Sequence, residues 1–422
     1  MGTAFLLNAG QLTLPDSFTR YHSLSGQLAA NATEANAEAP FRDAGVISNL
    51  YVYVISNNFV SQTCTFAVRK NRAATGSPGA LSVSIGPGLT GAFEDTTNSA
   101  TIAATDEVNF QSIAPSAAGN KSIIVTAASV QFTADDTSKT IVPLVNGGGI
   151  SSNDVPVVTR YSPINGGPQF FASTETYQKY PCRMAFTSTD LFVNVSANTL
   201  STSTVIKTRK NGADGGQTVT FTAAQTGQME DTSGSDSLAV GDDFNYVAEI
   251  GGGTAIFIDT VCTTCTTSNL EFPLMACFWN GGNPTGPAFT LEYPVAGPLS
   301  YNGEAFIAGV PRFIFGVKLL IALVSVNTMT TGSATLVFRR NTAATSLSLS
   351  YSVGQTGLKL DESHVEIVNP GDAIAYQWTN TDAVGDVVLH THGILGTRYT
   401  LGSYFLAHHQ ELEVHPPLVA AY

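Results

Sequence analysis

Charged residues are scarce in this chain and make up only 12% of its 422 residues. They normally account for about a quarter of a globular chain, and surface helices carry many of them. The shortage therefore argues against a helical protein. The formal net charge is -13, with 19 Lys and Arg against 32 Asp and Glu. We expect no nucleic-acid partner and no membrane partner, because both need a net positive face.

Cysteines and long apolar runs are also lacking. Five cysteines in 422 residues form an odd and sparse set, unlike a disulfide framework, so we expect reduced thiols in a cytosol. No segment approaches the roughly 18 apolar residues of a membrane span. Residues Met1–Leu14 lack the charged start and the apolar stretch of a secretory signal. The sequence thus predicts a chain that is made and kept soluble.

Small polar residues and turn formers are abundant instead. Ser and Thr supply roughly one residue in five, and there are 39 glycines and 19 prolines. Ser and Thr suit the solvent face of strands and their turns, and Gly and Pro favour turns. A chain of 422 residues suggests two to four modules, at about 100 to 200 residues per domain. The composition predicts an all-β protein of several domains.

One unit recurs three times along the chain. In each copy, a basic pair and an asparagine follow an alternating apolar run, and a second alternating run leads to a Thr-Gly pair and then to two aspartates. The recurring residues are the asparagines Asn71, Asn211 and Asn341, the glycines Gly91, Gly227 and Gly357, the first aspartates Asp95, Asp231 and Asp361, and the second aspartates Asp106, Asp242 and Asp372. The Gly-to-Asp-to-Asp spacing is identical in all three copies.

The alternating runs predict at least five or six strands in each copy. Turn-forming clusters such as Pro143–Gly148 and the segment through Asn280–Gly282 suggest copy boundaries near residues 150 and 285. The predicted domains are residues 1–150, 151–284 and 285–422, the last with a C-terminal tail. We expect three tandem antiparallel β-sandwich domains.

We interpret the recurring residues as turn residues. An asparagine between two alternating runs marks a tight hairpin that needs positive φ. The first aspartate, which follows Thr-Gly, is expected to cap backbone amides. The neighbouring Arg69, Arg209 and Arg339 could contact an anionic ligand, but we expect solvated strand-edge residues.

Acidic and cysteine pairs suggest chemistry that their spacing does not support. Glu94 and Asp95 could serve a glycosidase or a calcium site, but adjacent strand residues face opposite ways, and no Asp-x-Asp-x-Asp-Gly run occurs. Cys262 and Cys265 have zinc-knuckle spacing, yet residues three apart on a strand also face opposite ways. No nucleophile elbow, phosphate loop or His-Glu-x-x-His occurs. We expect no catalytic residue, metal or cofactor.

A histidine pair leaves one metal hypothesis open. His390 and His392 are two apart and should share a strand face, as in metal-binding jelly rolls of the cupin type. No glutamate follows as a third ligand. We interpret them as a half-exposed pair on the last strand of copy three. The alternative is a metal site that His408, His409 and His415 of the tail could complete.

The order Arg-Lys-Asn, alternating strand, Thr-Gly and Glu-Asp-Thr resembles β-sandwich modules in virion structural proteins of tailed bacteriophages, such as capsid decorations, head fibres and tail appendages. Copy three departs from the pattern, with Arg340 for lysine and Asp361-Glu362 for Glu-Asp. The residues that carry the resemblance are Arg69–Asn71, Thr90-Gly91 and Glu94–Thr97 in copy one, and Arg209–Gly212 and Glu230–Thr232 in copy two.

The resemblance implies a jelly-roll-like sandwich in each copy and a homo-oligomer, often a trimer, on a virus particle with other virion proteins. The predicted function is a non-enzymatic capsid-decorating or appendage subunit, made in the host cytoplasm and located in the virion. One alternative is a carbohydrate-binding adhesin or receptor-binding protein for host-surface glycans, although Trp279 and Trp378 lie in different copies. Another is a depolymerase, which needs two convergent carboxylates. We expect the tail from Leu401 to Tyr422 to dock on a neighbouring subunit or on its own domain.

Overall fold

The computed structural model describes residues 3–27, 31–74, 81–136, 140–151, 158–164, 173–267, 271–277, 288–293, 311 and 315–398. Three expectations lie outside these residues: the tail with its three histidines, Trp279, and the turn cluster at Asn280–Gly282. The described residues form strands and two short 3-10 helices, Glu34–Asn36 and Glu175–Tyr177. None of their helices is long and apolar enough to cross a membrane. The all-β prediction is confirmed.

The strands follow the chain in three successive sets. The first set is β1 (Thr3–Pro15), β2 (Phe18–His22), β3 (Gly26–Gln27), β4 (Ala39–Pro40), β5 (Gly45–Asn57), β6 (Cys64–Lys70), β7 (Ala73–Ala74), β8 (Ser82–Ile85), β9 (Gly91–Ile102), β10 (Glu107–Ala114) and β11 (Ser122–Ala134). The second set is β12 (Thr140–Ser151), β13 (Val158–Ser162), β14 (Tyr180–Pro181), β15 (Phe186–Leu200), β16 (Thr204–Lys210), β17 (Ala213–Phe221), β18 (Gly227–Leu238), β19 (Asp243–Ile250) and β20 (Gly253–Thr267). The third set is β21 (Glu271–Cys277), β22 (Phe289–Tyr293), β23 (Phe315–Asn327), β24 (Ser333–Arg340), β25 (Ala343–Ser352), β26 (Gly357–Asp361), β27 (Glu366–Val368), β28 (Ile374–Asn380) and β29 (Val387–Arg398).

The same pair of sheets recurs in each set. In copy two, the first sheet has the order β12-β20-β15-β18 and the second has the order β13-β19-β16-β17. With the main strands numbered along a copy, these orders read 1-8-3-6 and 2-7-4-5, and they recur in the other two copies. Pairing within them is antiparallel. This order of strands in two facing sheets is that of a jelly roll.

Strand pairing assigns two boundary segments to the copies that follow them. β12 pairs with β20 and β21 pairs with β29, in both cases along most of their length. The boundaries near residues 150 and 285 place these segments in the preceding copies. Turn-forming residues lie inside both strands. β12 contains Gly147–Gly149 and a register shift, and β21 contains Pro273. From here, copy two means β12 to β20 and copy three means β21 to β29.

One short strand joins the first two copies. β3 pairs in parallel with β1 of copy one and with β12 of copy two, through Gly26 and Gln27. Their first sheets thereby form one nine-stranded sheet. β1 also lies against β12, and β12 against β21. The leading strands of successive copies are therefore neighbours.

Alternation within the strands explains the low charge. In β17, Gln217, Val219 and Phe221 are buried between the sheets, whereas Thr218 and Thr220 face water. Hydroxyl side chains keep such a face hydrated without charge, and threonine also suits the pleated backbone. Fully burying a side chain such as Phe221 stabilises the fold by about 1.5–3 kcal/mol.

Candidate functional site

A cluster of two turns recurs in each copy and joins the asparagine to the second aspartate. In copy two, Asn211 Nδ2 donates to Asp242 Oδ1 at 2.7 Å. Asn211 Oδ1 accepts from the backbone N–H of Asp243 at 2.7 Å, and the Asn211 N–H donates to the Asp243 carbonyl at 2.9 Å. The asparagine thus ties its hairpin to the turn before β19. The same side-chain bond joins Asn71 to Asp106 at 2.7 Å and Asn341 to Asp372 at 2.6 Å.

Positive φ explains why an asparagine occupies this position of the hairpin. Asn211 has a φ of 54° and Gly212 a φ of 79°, and they form the two-residue loop between Lys210 and Ala213. A two-residue hairpin loop with both φ values positive is a type I′ turn. The asparagines of the other copies have the same conformation, with φ of 51° at both Asn71 and Asn341. Asparagine adopts this region more readily than other residues with a Cβ.

The second aspartate also caps its own turn. Asp242 Oδ2 accepts from the backbone N–H of Ala239 at 2.8 Å, and Lys210 Nζ lies 3.0 Å from the same oxygen. The Ala239 N–H, the Asn211 amide and Lys210 together lower the pKa of Asp242 to about 2. The carboxylate is therefore ionised under all ordinary conditions and acts as a fixed hydrogen-bond acceptor.

The first aspartate bridges two strands. In copy two, Asp231 Oδ2 accepts from the N–H of Thr218 at 2.8 Å, and Oδ1 accepts from the N–H groups of Ser233 and Gly234 at 3.0 and 2.8 Å. Burial raises the pKa of Asp231, but these hydrogen bonds together lower it by more, so the net pKa lies below the usual value. The corresponding carboxylates of Asp95 and Asp361 cap backbone amides in the same way.

Backbone conformation requires the recurring glycine. Gly91, Gly227 and Gly357 have φ values of 101°, 99° and 98°. No atom lies within 4 Å of the place a Cβ would take at any of them, so space does not select glycine. This φ region is open only to glycine at low cost. The glycine starts the strand that carries the first aspartate.

The arginine beside each asparagine has a partner, so the expectation of a solvated edge is wrong in the first two copies. Arg69 contacts Glu34 through Nε at 2.6 Å and Nη2 at 3.1 Å. Arg209 contacts Glu175 in the same bidentate way, at 2.7 and 3.3 Å. Each glutamate is the first residue of a 3-10 helix. In copy three, Arg339 donates to a glutamine side chain at 3.4 Å. The arginine therefore anchors the 3-10 helix to the hairpin.

Replacing Asn211 by glycine should lower the free energy of unfolding by about 1–2 kcal/mol, because two side-chain hydrogen bonds are lost, one of them to a carboxylate. Glycine keeps the positive φ available, so the change isolates those bonds. Chemical denaturation measures the loss. The matched variant Asn211→Ala adds backbone strain and should lose about 1 kcal/mol more. Equal stability of Asn211→Gly and the parent chain would contradict the bridging role.

Glu38 is a second ionisable group with an unusual environment. Its side chain has no exposed surface, and Arg72 Nη2 lies 3.0 Å from its carboxylate and 3.7 Å from that of Glu107. Burial raises the pKa of Glu38 to about 7, with a contribution from the charge of Glu107, although the Arg72 bonds lower it. In copy two, Lys179 and Asp243 take the positions of Glu38 and Glu107, and they lie 3.5 Å apart. In both copies a side-chain contact fastens the segment after the 3-10 helix.

The histidine pair is buried, so the expectation of half-exposed residues is wrong. His390 is 2% exposed and His392 is not exposed. His392 packs against Tyr376 at 4.6 Å and Tyr293 at 5.4 Å between ring centroids, inside the sandwich. The register shifts at His390, where a β-bulge interrupts the alternation that the two-residue spacing assumed. Within the described part of the chain, no three His, Cys, Asp or Glu residues are grouped to hold a metal.

The two cysteines of the zinc-like spacing are separated by the strand. Cys262 packs with Ala39 and Phe192 on the outer face of its sheet, whereas Cys265 belongs to the main core. Burial raises the pKa of the Cys262 thiol to about 12 and that of Cys265 well above its usual value. Both thiols are therefore protonated at neutral pH and poor metal ligands.

Copy one docks on the outer face of the first sheet of copy two. Asn194 Nδ2 donates to the carbonyl of Ala35 at 2.9 Å and to Asn36 Oδ1 at 3.3 Å. Thr260 Oγ1 donates to the carbonyl of Asn36 at 3.0 Å. Ala35 and Asn36 belong to the 3-10 helix that Arg69 anchors through Glu34. The hairpin of copy one thereby positions the backbone carbonyls that copy two binds.

An apolar contact and an ion pair complete this interface. Ala39 of copy one packs with Phe192 and Cys262 of copy two, and all three are buried. Arg42 Nη2 lies 2.6 Å from Glu230 Oε2 across the interface. Glu230 faces this partner, while its neighbour Asp231 caps amides on the other side of the strand. A partly exposed pair of this kind contributes about 0–1 kcal/mol, so the apolar contact dominates.

The sequence reasoning missed this interface, although two signals were present. An arginine recurs at Arg42, Arg183 and Arg312, two or fewer residues after a proline in each copy. The run Leu191–Val195 also has an apolar residue on both faces, and all five of its residues are buried. A strand with both faces buried has a cover on each side.

A polar groove lies beside the interface. Its volume is about 470 Å³. Side chains from both copies line it, including Asn36 and Arg72 from copy one and Asn194, Ser196 and Gln228 from copy two. None of its lining residues is aromatic.

Comparison with known proteins identifies no family. No family model matches the chain, and no curated protein matches it. The solved structures that are similar in part include the following two. One is a Paenibacillus xanthan lyase, with 11% identity over 67% of this chain and a TM-score of 0.18. That match covers 30% of the lyase chain.

The other solved structure comes from an archaeal virus and is described as a triple jelly roll fold and turret assembly. It has 10% identity, covers 93% of this chain and 91% of its own, and has a TM-score of 0.18. This chain thus has a weak likeness to a viral jelly-roll protein. At that TM-score, neither structure carries an argument about fold or function.

Proposed function

We propose that this protein is a non-enzymatic structural subunit of a virion, either a capsid decoration or an appendage, that acts through contacts between sandwiches. The observation that supports this most is the docking of copy one on copy two. There the outer sheet face of a jelly roll, and the helix and arginine that meet it, all serve contact with another sandwich. A subunit built this way extends a surface by adding modules, each with its own core.

The state of the acidic groups supports a non-enzymatic role. Asp231 and Asp242 are bound by backbone amides that hold their charge in place. Glu38 has a raised pKa, as a general acid needs, but it is fully buried beneath Arg72. Substrate has no access to that carboxyl.

The proposed partners are further copies of this chain, as in a trimer, and other virion proteins. The proposed site of synthesis is the host cytoplasm. The net charge of -13 disfavours nucleic acid and anionic membranes as partners.

Recognition of host-surface glycans is the alternative function, and the test must distinguish it from the structural role. Trp378 is fully buried and packs edge-on against Tyr351 at 6.1 Å, so it offers no stacking platform. Trp279 lies outside the described residues. The groove between copies one and two offers amide and guanidinium groups to a sugar.

The proposal is tested by the native mass of the purified chain, negative-stain imaging and a binding assay on virus particles. We expect a discrete oligomer and binding to particles. A monomer that neither assembles at high concentration nor binds particles would contradict the proposal. Glycan-array binding that is lost in Trp279→Ala but kept in Arg72→Ala would favour an adhesin, and the reverse pattern would place the glycan in the groove. Turnover of any polysaccharide would contradict the non-enzymatic role.

A further inference from the structure

One large side chain on the outer face of the first sheet is buried in every copy. Phe192 of copy two is fully buried, and Tyr51 and Ile321 are 4% and 1% exposed. These three residues are equivalent by strand pairing, since they lie opposite Glu230, Glu94 and Leu360 of the adjacent strand. Side chains on this face point away from the sandwich core, so each needs a cover from outside its own sandwich.

The cover belongs to the chain itself, because these exposures are those of a single chain. In copy two the cover is the entry segment of copy one, residues 31–42, which contains the 3-10 helix and Arg42. That segment is therefore occupied and cannot also cover Tyr51 of its own copy. Copy two has the corresponding helix, anchored in the same way by Arg209 and Glu175.

We infer that the three copies close a ring within one chain. Copy one covers copy two, copy two covers copy three, and copy three covers the outer face of copy one. A head-to-tail contact of this kind either closes after a fixed number of units or continues as an open row. The first copy of an open row would have an uncovered outer face. Here Tyr51 on the outer face of copy one is buried, which favours a closed ring. The leading strands of successive copies lie side by side, β1 against β12 and β12 against β21, which a ring and a row have in common.

Charge complementarity supports the closing contact. Glu94 of copy one takes the position that Glu230 takes in copy two, where it binds Arg42. Copy three has Leu360 there, so its contact with copy two is apolar at this point. A single chain then provides the trimer-like arrangement, and the inference stands whether or not the chain belongs to a virion.

Spin-label distances in the full chain test the ring. Ser84, Thr220 and Ser350 are exposed and equivalent, since they lie opposite Thr65, Val205 and Thr335 in their sheets. Each pair is replaced by cysteine in a Cys277→Ser background. The other native cysteines, Cys64, Cys182, Cys262 and Cys265, are buried. Dilution with unlabelled chain removes distances between chains.

A closed ring predicts nearly equal distances for the three pairs, with a ratio of the 84–350 distance to the 84–220 distance of about one, whereas a row gives about two. A ratio nearer two would overturn the inference. The exposed positions leave folding undisturbed, so each variant is informative. Native mass measured on the same samples reports chain assembly separately, and a failure there would leave the ring intact.

Discussion

Replacing Phe192 by alanine should lower the free energy of unfolding by about 3–5 kcal/mol. Phe192 is fully buried, yet it lies on the outer face of its sheet and packs against Ala39 of copy one and Cys262. Its removal leaves a cavity between two sandwiches, and neither core can collapse into it without moving the contact between copies. Chemical denaturation followed by circular dichroism measures the loss.

The position of the cavity gives this variant a second effect. Copies one and two should unfold in separate transitions, because the apolar part of their contact is gone. Phe221→Ala is the matched control, since Phe221 is equally buried but lies inside the sandwich of copy two. It should cost a similar free energy without separating the transitions of copies one and two. A single sharp transition in Phe192→Ala would show that this contact does not couple the copies.

The stability of the chain should fall as pH rises from about 4.5 to about 7, through ionisation of Glu38. The pKa of Glu38 is raised from 4.5 to about 7 in the folded chain, first by burial. In this window the native state holds a proton that the unfolded state has lost, so rising pH favours unfolding. The stabilisation is complete below pH 4.5 and is lost as pH passes 7. It amounts to at most about 3 kcal/mol.

Glu38→Gln should flatten this pH dependence, which is measured by unfolding midpoints at several pH values. Burial also raises the pKa of Asp259, which contributes a slope of the same sign, so the variant reduces the slope without abolishing it. Asp242→Asn is the control. The pKa of Asp242 is lowered to about 2, so its stabilisation is present above pH 3.8 and is lost only as pH falls toward 2. An unchanged slope between pH 4.5 and 7 in Glu38→Gln would contradict the assignment.

The recurring residues show which features of the structure can be predicted from local sequence. The spacing of Gly227, Asp231 and Asp242 predicted turn residues, because positive φ and amide capping depend on the residue itself and its near neighbours, but Gly227 and Asp231 lie in β18. It did not show that Asn211 and Asp242 bond to each other, since 31 residues separate them along the chain. Pairing of β16 with β19 brings them together.

The wrong predictions of side-chain exposure share one cause, which is burial by a distant part of the chain. His390 and His392 were expected to be half-exposed because their strand alternates, but a bulge at His390 breaks the alternation, Tyr376 packs on His392, and both histidines are buried. Arg69 was expected to be solvated because it ends a strand, but Glu34 lies against it. Sequence spacing contains no information on which distant segment covers a face.

The sequence by itself determined the all-β class and the threefold recurrence of the sequence motif, because period-two alternation, positive φ and hairpin chemistry act over a few residues. Only the tertiary structure decided the jelly-roll strand order, the grouping of β12 and β21 with the copies that follow, and the contact of copy one with Phe192 and Asn194 of copy two. These features depend on pairing and packing between segments far apart along the chain. Their energy comes from burying surfaces that meet only after each copy has folded.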